Sequence, residues 1–137
     1  MANMSLGNNE TLAQLIDQWT REKGTFETPI MGLTLFRAET LTQPNSSMMD
    51  ASLCMVAQGK KQVILSEEAY TYDSNHFLFT AIDLPVIAQV LEASVEQPYL
   101  SIVLRLDPYV LAQIMLEAHI PFKDTNTEKK GMAVGVV

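Results

Sequence analysis

From Gly32 to Leu106 the chain is cut by turn residues about every eight to twelve positions into short runs rich in β-branched and aromatic side chains. Helices need longer uninterrupted periodicity, so this spacing confines the middle of the chain to an antiparallel sandwich or a small barrel. The runs are Gly32 to Ala38, Ser52 to Ala57, Lys61 to Leu65, Ala69 to Tyr72, His76 to Thr80, Val86 to Ser94 and Tyr99 to Leu106. Gln58-Gly59-Lys60 separates the second run from the third, and Gly59 supplies the positive φ that a tight hairpin requires. Thr42 to Asp50 mixes Pro44, Asn45 and two serines without a period and reads as a surface loop.

Helical patterns flank this region. Leu12, Leu15, Ile16 and Trp19 recur at helical spacing, which predicts a helix from Asn9, with Asn9 as N-cap, Gly24 as its end and Trp19 as a packing anchor. Asp107-Pro108 opens a second helix, Asp107 capping and Pro108 at the first helical position, with Leu111, Ile114, Met115 and Ala118 as its apolar stripe and Pro121 blocking its continuation. Residues 1–8 are polar and aperiodic and are expected to be disordered, which leaves 9–137 as one folded domain. Gly131 to Val137 is apolar to its last residue, as a final buried strand would be, or a chain cut at a domain boundary. The expected fold class is mainly β, an antiparallel barrel or sandwich with an N-terminal helix and a helix near the C-terminus.

With 137 residues the chain has room for one core. Nine basic against sixteen acidic residues give a net charge of −7, and the basic doublets Lys60-Lys61 and Lys129-Lys130 are too small a footprint for phosphate contacts, so direct nucleic-acid binding is not expected. The single cysteine, Cys54, cannot close an intramolecular disulfide and fits a reducing, cytoplasmic setting. No leader pattern opens the chain and no eighteen-residue apolar run occurs in it, so no membrane partner is expected. With one cysteine and two histidines, His76 and His119, the usual four-ligand zinc sites and a three-histidine site fail on ligand count; no metal and no cofactor are expected.

Candidate site residues are few. Cys54 sits in a strand whose two faces both look buried, so it reads first as an inert core cysteine. Tyr70 and Tyr72 share a face, where cross-strand packing is the plain reading. His76 follows a polar turn and starts a strand, where the turn backbone can satisfy it, or where it can face a cavity. In the last run Leu100, Ile102, Leu104 and Leu106 share one face, while Tyr99, Ser101, Val103 and Arg105 form a mixed face suited to a pocket or rim. His119 follows a helix end and is structural, and Glu67-Glu68 lies in an exposed turn with no reason to act as acid and base. No nucleophile elbow, P-loop, dinucleotide fingerprint or HExxH occurs, so no catalytic residue is named.

Read as a unit, Leu53-Cys54-Met55-Val56-Ala57-Gln58-Gly59-Lys60-Lys61, then Tyr70-Thr71-Tyr72-Asp73, then Leu78 to Pro85 resembles the N-terminal domain of AraC-type transcriptional regulators. Pro98-Tyr99-Leu100 and Leu106-Asp107-Pro108 fit as well, so the likeness runs from the first helix to Val137. It implies a cupin-like β-barrel that senses a small-molecule effector or mediates dimerisation in the cytoplasm of a bacterial-type regulator. It also implies a following DNA-binding domain with two helix-turn-helix units, which this chain does not contain, as the chain's own partner. A pocket in such a barrel would draw on Cys54, Tyr72, His76, Tyr99 and Arg105.

Three functions compete. The first is an effector-sensing regulatory domain, not an enzyme. The second is a stand-alone interaction module whose apolar C-terminal strand pairs with that of another copy, giving a homodimer. The third, a distant one, is a small metal-dependent cupin enzyme, for which His76, Glu92 and Glu96 are the only thinkable ligands.

Overall fold

The computed structural model describes residues 8–21, 24–105, 107, 109, 113, 116–117 and 131–136. The N-terminal helix, α1 (Asn8–Thr20), starts one residue before the expected position, so Asn9 lies in its first turn rather than capping it. Its buried positions are Ala13, Ile16 and Thr20, with Leu12 packed alongside, and they rest on Leu35, Ala57 and Leu100. Thr20 is buried because its hydroxyl donates to the Ile16 carbonyl at 2.6 Å, leaving its methyl for the core. The apolar stripe is therefore turned from the one the spacing suggests. Trp19 is not a core anchor: it is 56% exposed and stacks on Phe26 with ring centroids 5.7 Å apart.

Ten strands follow among the described residues: β1 (Thr25–Glu27), β2 (Leu33–Ala38), β3 (Asn45–Met49), β4 (Ser52–Gln58), β5 (Lys60–Leu65), β6 (Glu68–Asp73), β7 (His76–Thr80), β8 (Leu84–Glu92), β9 (Tyr99–Arg105) and β10 (Met132–Val136). They form two sheets, one ordered β1-β2-β9-β4-β7-β10 and the other β3-β8-β5-β6, with antiparallel neighbours throughout. The expected mainly-β antiparallel fold is thus present as a sandwich, with α1 on the outer face of the larger sheet. Between the sheets lies the main core, made of Cys54, Val56, Val63, Leu65, Tyr72, Leu78, Val86, Val90, Tyr99 and Met132. The apolar C-terminal run is a strand, β10, paired with β7.

Two expectations are corrected. The segment expected as a loop, Thr42 to Asp50, contains β3, an exposed edge strand paired with β8; its backbone hydrogen bonds to a neighbour, which composition does not report. The hairpin expected at Gln58-Gly59-Lys60 is a corner. Strand β4 pairs with β7 and β9, whereas β5 pairs with β6 and β8 in the other sheet. Gly59 has φ 95°, as expected, but uses it to carry the chain from one sheet to the other. A side chain there would come within 2.7 Å of the Glu92 carbonyl oxygen and 3.1 Å of the Tyr99 Cα. The tight turn in this region is Ser66-Glu67, joining β5 to β6, with Ser66 at φ 55°.

The sequence motifs prove to be corner fixtures. Gln58 donates to the Pro98 carbonyl at 2.8 Å, tying the β4–β5 corner to the loop before β9. Asp83 accepts the Ala51 N–H at 2.9 Å, tying the β7–β8 corner to the β3–β4 corner. Of the expected second helix only Asp107, Tyr109, Gln113, Leu116 and Glu117 are described, and its stripe of Leu111, Ile114, Met115 and Ala118 lies outside the described residues. Asp107 does accept the Tyr109 N–H at 2.8 Å, the bond expected of an N-cap.

Candidate functional site

Period-two alternation in β4 turns Ser52, Cys54 and Val56 toward the second sheet. Beside β4, β9 contributes Tyr99 and Ser101, with Ser101 in register with Val56. From the facing sheet come Tyr72 of β6 and Lys61 of β5, which are register partners. Cys54 is the common neighbour: the Ser52 hydroxyl lies 3.8 Å from its sulfur, Tyr72 donates a hydrogen bond to it, and Lys61 and Tyr99 lie within its electrostatic reach. Cys54, Ser52, Tyr72, Tyr99 and the half-buried Lys61, from four strands, thus gather at a core otherwise made of valine, leucine and methionine.

Burial dominates their ionisation. It pushes the Cys54 thiol up, only partly offset by the Lys61 charge and by hydrogen bonds from Ser52 and Tyr72. Burial likewise raises the Tyr72 hydroxyl well above the usual phenol range, with Tyr99 and Cys54 adding to the effect. Tyr99 is raised by burial too, and Ser101 tempers the push. Yet no group among the described residues meets hydrogen-bond geometry with the Tyr99 hydroxyl, although the residue is only 3% exposed. Lys61 is lowered by desolvation, with Cys54 acting in the opposite direction. A protonated thiol is a poor nucleophile. What the cluster offers is hydrogen-bond donors in a low-dielectric place.

The other two expected site residues lie elsewhere. His76 opens β7 just after a turn: its side chain is 38% exposed and its Nδ1 sits 2.9 Å from Asp73 Oδ1. The same carboxylate accepts the Asn75 N–H, and the two bonds, His76 first, hold Asp73 below its ordinary range. Arg105 is 62% exposed and pairs with Asp50 at 3.6 Å, on an open cleft of about 560 Å³ shared with Asp83 and Asp107. The structure therefore brings Cys54, Tyr72 and Tyr99 together, leaves out His76 and Arg105, and adds Lys61. In the sequence Lys61 reads as half of a basic doublet; its signal is that it shares a strand face with Val63 and Leu65. Its neighbour Lys60 points away and pairs with Glu92 at 3.2 Å.

A second cleft, about 470 Å³, opens where α1 meets the larger sheet and is lined by Asp17, Arg21, Arg37, Gln58 and Glu96. Arg37 hydrogen-bonds Asp17 and Glu39, and burial, which would lower its pKa, is outweighed by the two carboxylates. The ligands of the enzyme reading are spent separately: His76 binds Asp73, Glu92 binds Lys60 and Glu96 lines this cleft. Among the described residues no three His, Cys, Asp or Glu side chains are grouped to hold a metal ion. No helix among them is long and apolar enough to cross a membrane.

The sequence profile described as AraC-type transcriptional regulator N-terminus matches residues 29–137. No curated protein gives a significant match. Among solved structures, the crystal structure of an apo ToxT variant from Vibrio cholerae strain SCE256 is similar at 9% identity with a TM-score of 0.48. That alignment covers 80% of this chain and 44% of the ToxT chain.

Proposed function

Because the chain belongs to the family of AraC-type transcriptional regulator N-termini, we propose that it is the effector-sensing part of such a regulator. It works without catalysis, in the cytoplasm, beside a DNA-binding domain that carries the phosphate contacts its own charge of −7 does not favour. The observation that carries the sensing role is the donor cluster between the sheets. Buried polar groups without partners cost stability, and a core of this class could have been filled with leucine. Tyr99 keeps a buried hydroxyl with no hydrogen-bond partner among the described residues, and a ligand that accepts from it would recover that cost. To control transcription the ligand must bind two states of the domain with different affinity.

The test is thermal shift, followed by calorimetry, on the full chain with sugars, aldehydes and aromatic acids. A ligand that raises the melting temperature of this chain and loses its effect in Tyr99→Phe supports the sensor; a set in which none does so removes the effector.

The interaction module is the second reading, and strand β3 favours it. Asn-Ser-Ser-Met-Met is an edge strand without a charged residue, and Met48 is 63% exposed beside Ile87 of β8. Exposed edges of this kind are templates for pairing. Light scattering that shows a dimer persisting on dilution, and lost in Ser47→Lys, supports that role.

A further inference from the structure

The sheet edges among the described residues are β1, β10, β3 and β6. Strand β1 carries Glu27 and β6 carries Glu68 and Asp73, charges that guard an edge against a second copy. Of the two uncharged edges, β10 has a fully buried Met132 and only Val136 exposed, whereas β3 is exposed from Asn45 to Met48. Met49 packs on the main core, so period two turns Asn45, Ser47 and Met49 toward the core side and Ser46 and Met48 outward. Register continues the outward rows into the sheet, Ser46 beside Ile87 and then Ile64, and Met48 beside Pro85. These residues line an open groove of about 480 Å³ on the outer face.

Two antiparallel copies of one strand keep their bonding edges opposed and their faces matched only when paired positions are both odd or both even. Among such registers, the one centred on Ser47 pairs the whole of β3: Ser47 with the partner's Ser47, Ser46 with the partner's Met48 and Asn45 with the partner's Met49. The partner's Met48 then continues the row of Ile64, Ile87 and Ser46. Small Ser46 leaves the groove open there, and a long, unbranched methionine can reach across it onto Ile87. A two-fold axis makes the exchange reciprocal, and within the paired strands no like charges meet, although the chain carries −7. A charged peptide would find no counter-charge on this edge. We infer that the occupant of the β3 edge is a second copy of this chain, paired about Ser47 so that each Met48 fills the other copy's groove and the two four-stranded sheets become one. The inference rests on the interaction-module reading and adds its register.

Full-length Ser47→Cys, Asn45→Cys and the parent are mildly oxidised and compared on non-reducing gels. The two Ser47 positions face each other across the axis with Cβ atoms about 4.5–5.5 Å apart, so Ser47→Cys is expected to form a disulfide-linked dimer. The two Asn45 positions are four residues out of register, about 13 Å apart, so Asn45→Cys is expected not to cross-link, and neither is the parent, whose Cys54 is buried. In light scattering, Met48→Ala and Ile87→Ala are each expected to weaken the dimer about tenfold or more. Cross-linking of Asn45→Cys as readily as Ser47→Cys, or a dimer indifferent to Met48→Ala, overturns the inference. A dimer that is lost in Ser47→Lys but does not cross-link in Ser47→Cys also overturns it, while leaving the interaction module standing. A chain that stays monomeric at every concentration overturns both.

Discussion

Replacing Gly59 with alanine tests whether the β4–β5 connection is a corner between sheets or a hairpin within one. In a hairpin turn the added methyl would meet solvent, and the cost would be that of forcing an L-residue to positive φ, about 1–2 kcal/mol. At the corner, Gly59 has φ 95° and the methyl is also driven to 2.7 Å from the Glu92 carbonyl oxygen and 3.1 Å from the Tyr99 Cα. Both neighbours are backbone in paired strands and cannot swing aside. Overpacking of this kind adds about 1–3 kcal/mol, so the total expected is about 2–5 kcal/mol. That is a large part of the roughly 5–15 kcal/mol that holds a domain of this size. Urea unfolding followed by circular dichroism measures it, with Gly24→Ala as the reference, since a Cβ at Gly24 meets nothing nearer than the Arg37 carbonyl oxygen at 3.6 Å. A Gly59→Ala loss less than about 2 kcal/mol beyond the Gly24→Ala value, which positive φ alone would account for, would refute the corner argument.

Burial keeps the Tyr72 and Tyr99 hydroxyls protonated in the folded chain, so at alkaline pH the unfolded chain gives up its protons first. Stability should therefore fall above pH ~10, by about 1.4 kcal/mol per pH unit for each tyrosine, and the double Tyr→Phe variant should show a flatter slope in urea titrations; an unchanged slope would count against the buried cluster. Lys61 has the opposite sign: lowered in the folded state, it makes stability rise as pH approaches the usual lysine range, and Lys61→Met should remove that rise. A Cβ on Gly135 would lie 2.2 Å from the Phe77 ring, so Gly135→Ala should destabilise the parent but cost far less in a Phe77→Ala background, and a cycle of additive effects would sink the claim. Ile16→Ala, at a residue 1% exposed on the inner face of α1, should cost about 2–5 kcal/mol and speed protease cleavage near the N-terminus, whereas Trp19→Ala should cost much less.

How far the sequence alone carried the fold depended on which signals are local. Strand positions were legible because β-branched runs and turn residues are local features, and all seven expected strand runs overlap strands. The final strand β10 was legible from its unbroken apolar character. Which strands pair was not, because pairing is set by contacts remote in sequence. Every connection from β2 to β9 except Ser66-Glu67 crosses between the sheets, and a positive-φ glycine looks the same at a crossing as in a hairpin. Strand β3 escaped for a related reason: its polar residues are stabilised by backbone bonds to β8 while their side chains stay in solvent. On α1 the spacing found the helix but not its face, since Thr20 is buried through a backbone bond that hydropathy does not record.

The candidate site turned on the same corner. As one arm of a hairpin with β4, the Lys60-Lys61 doublet reads as two solvent cations next to a turn. Once Gly59 carries β5 into the facing sheet, period two separates the doublet, Lys60 outward to Glu92 and Lys61 inward toward Cys54 and Tyr72. The same geometry lets Tyr72 and Tyr99 approach one sulfur from opposite sheets, although 27 positions separate them in the sequence. His76 and Arg105 fell out because both stand at strand ends, where a nearby carboxylate and open water satisfy them more cheaply than the core could. A polar residue at the middle of a strand, flanked at i±2 by apolar ones, has no such escape. Lys61 is second in β5 and so also near a strand start, but its face runs on into the buried Val63 and Leu65, and it forms no ion pair among the described residues.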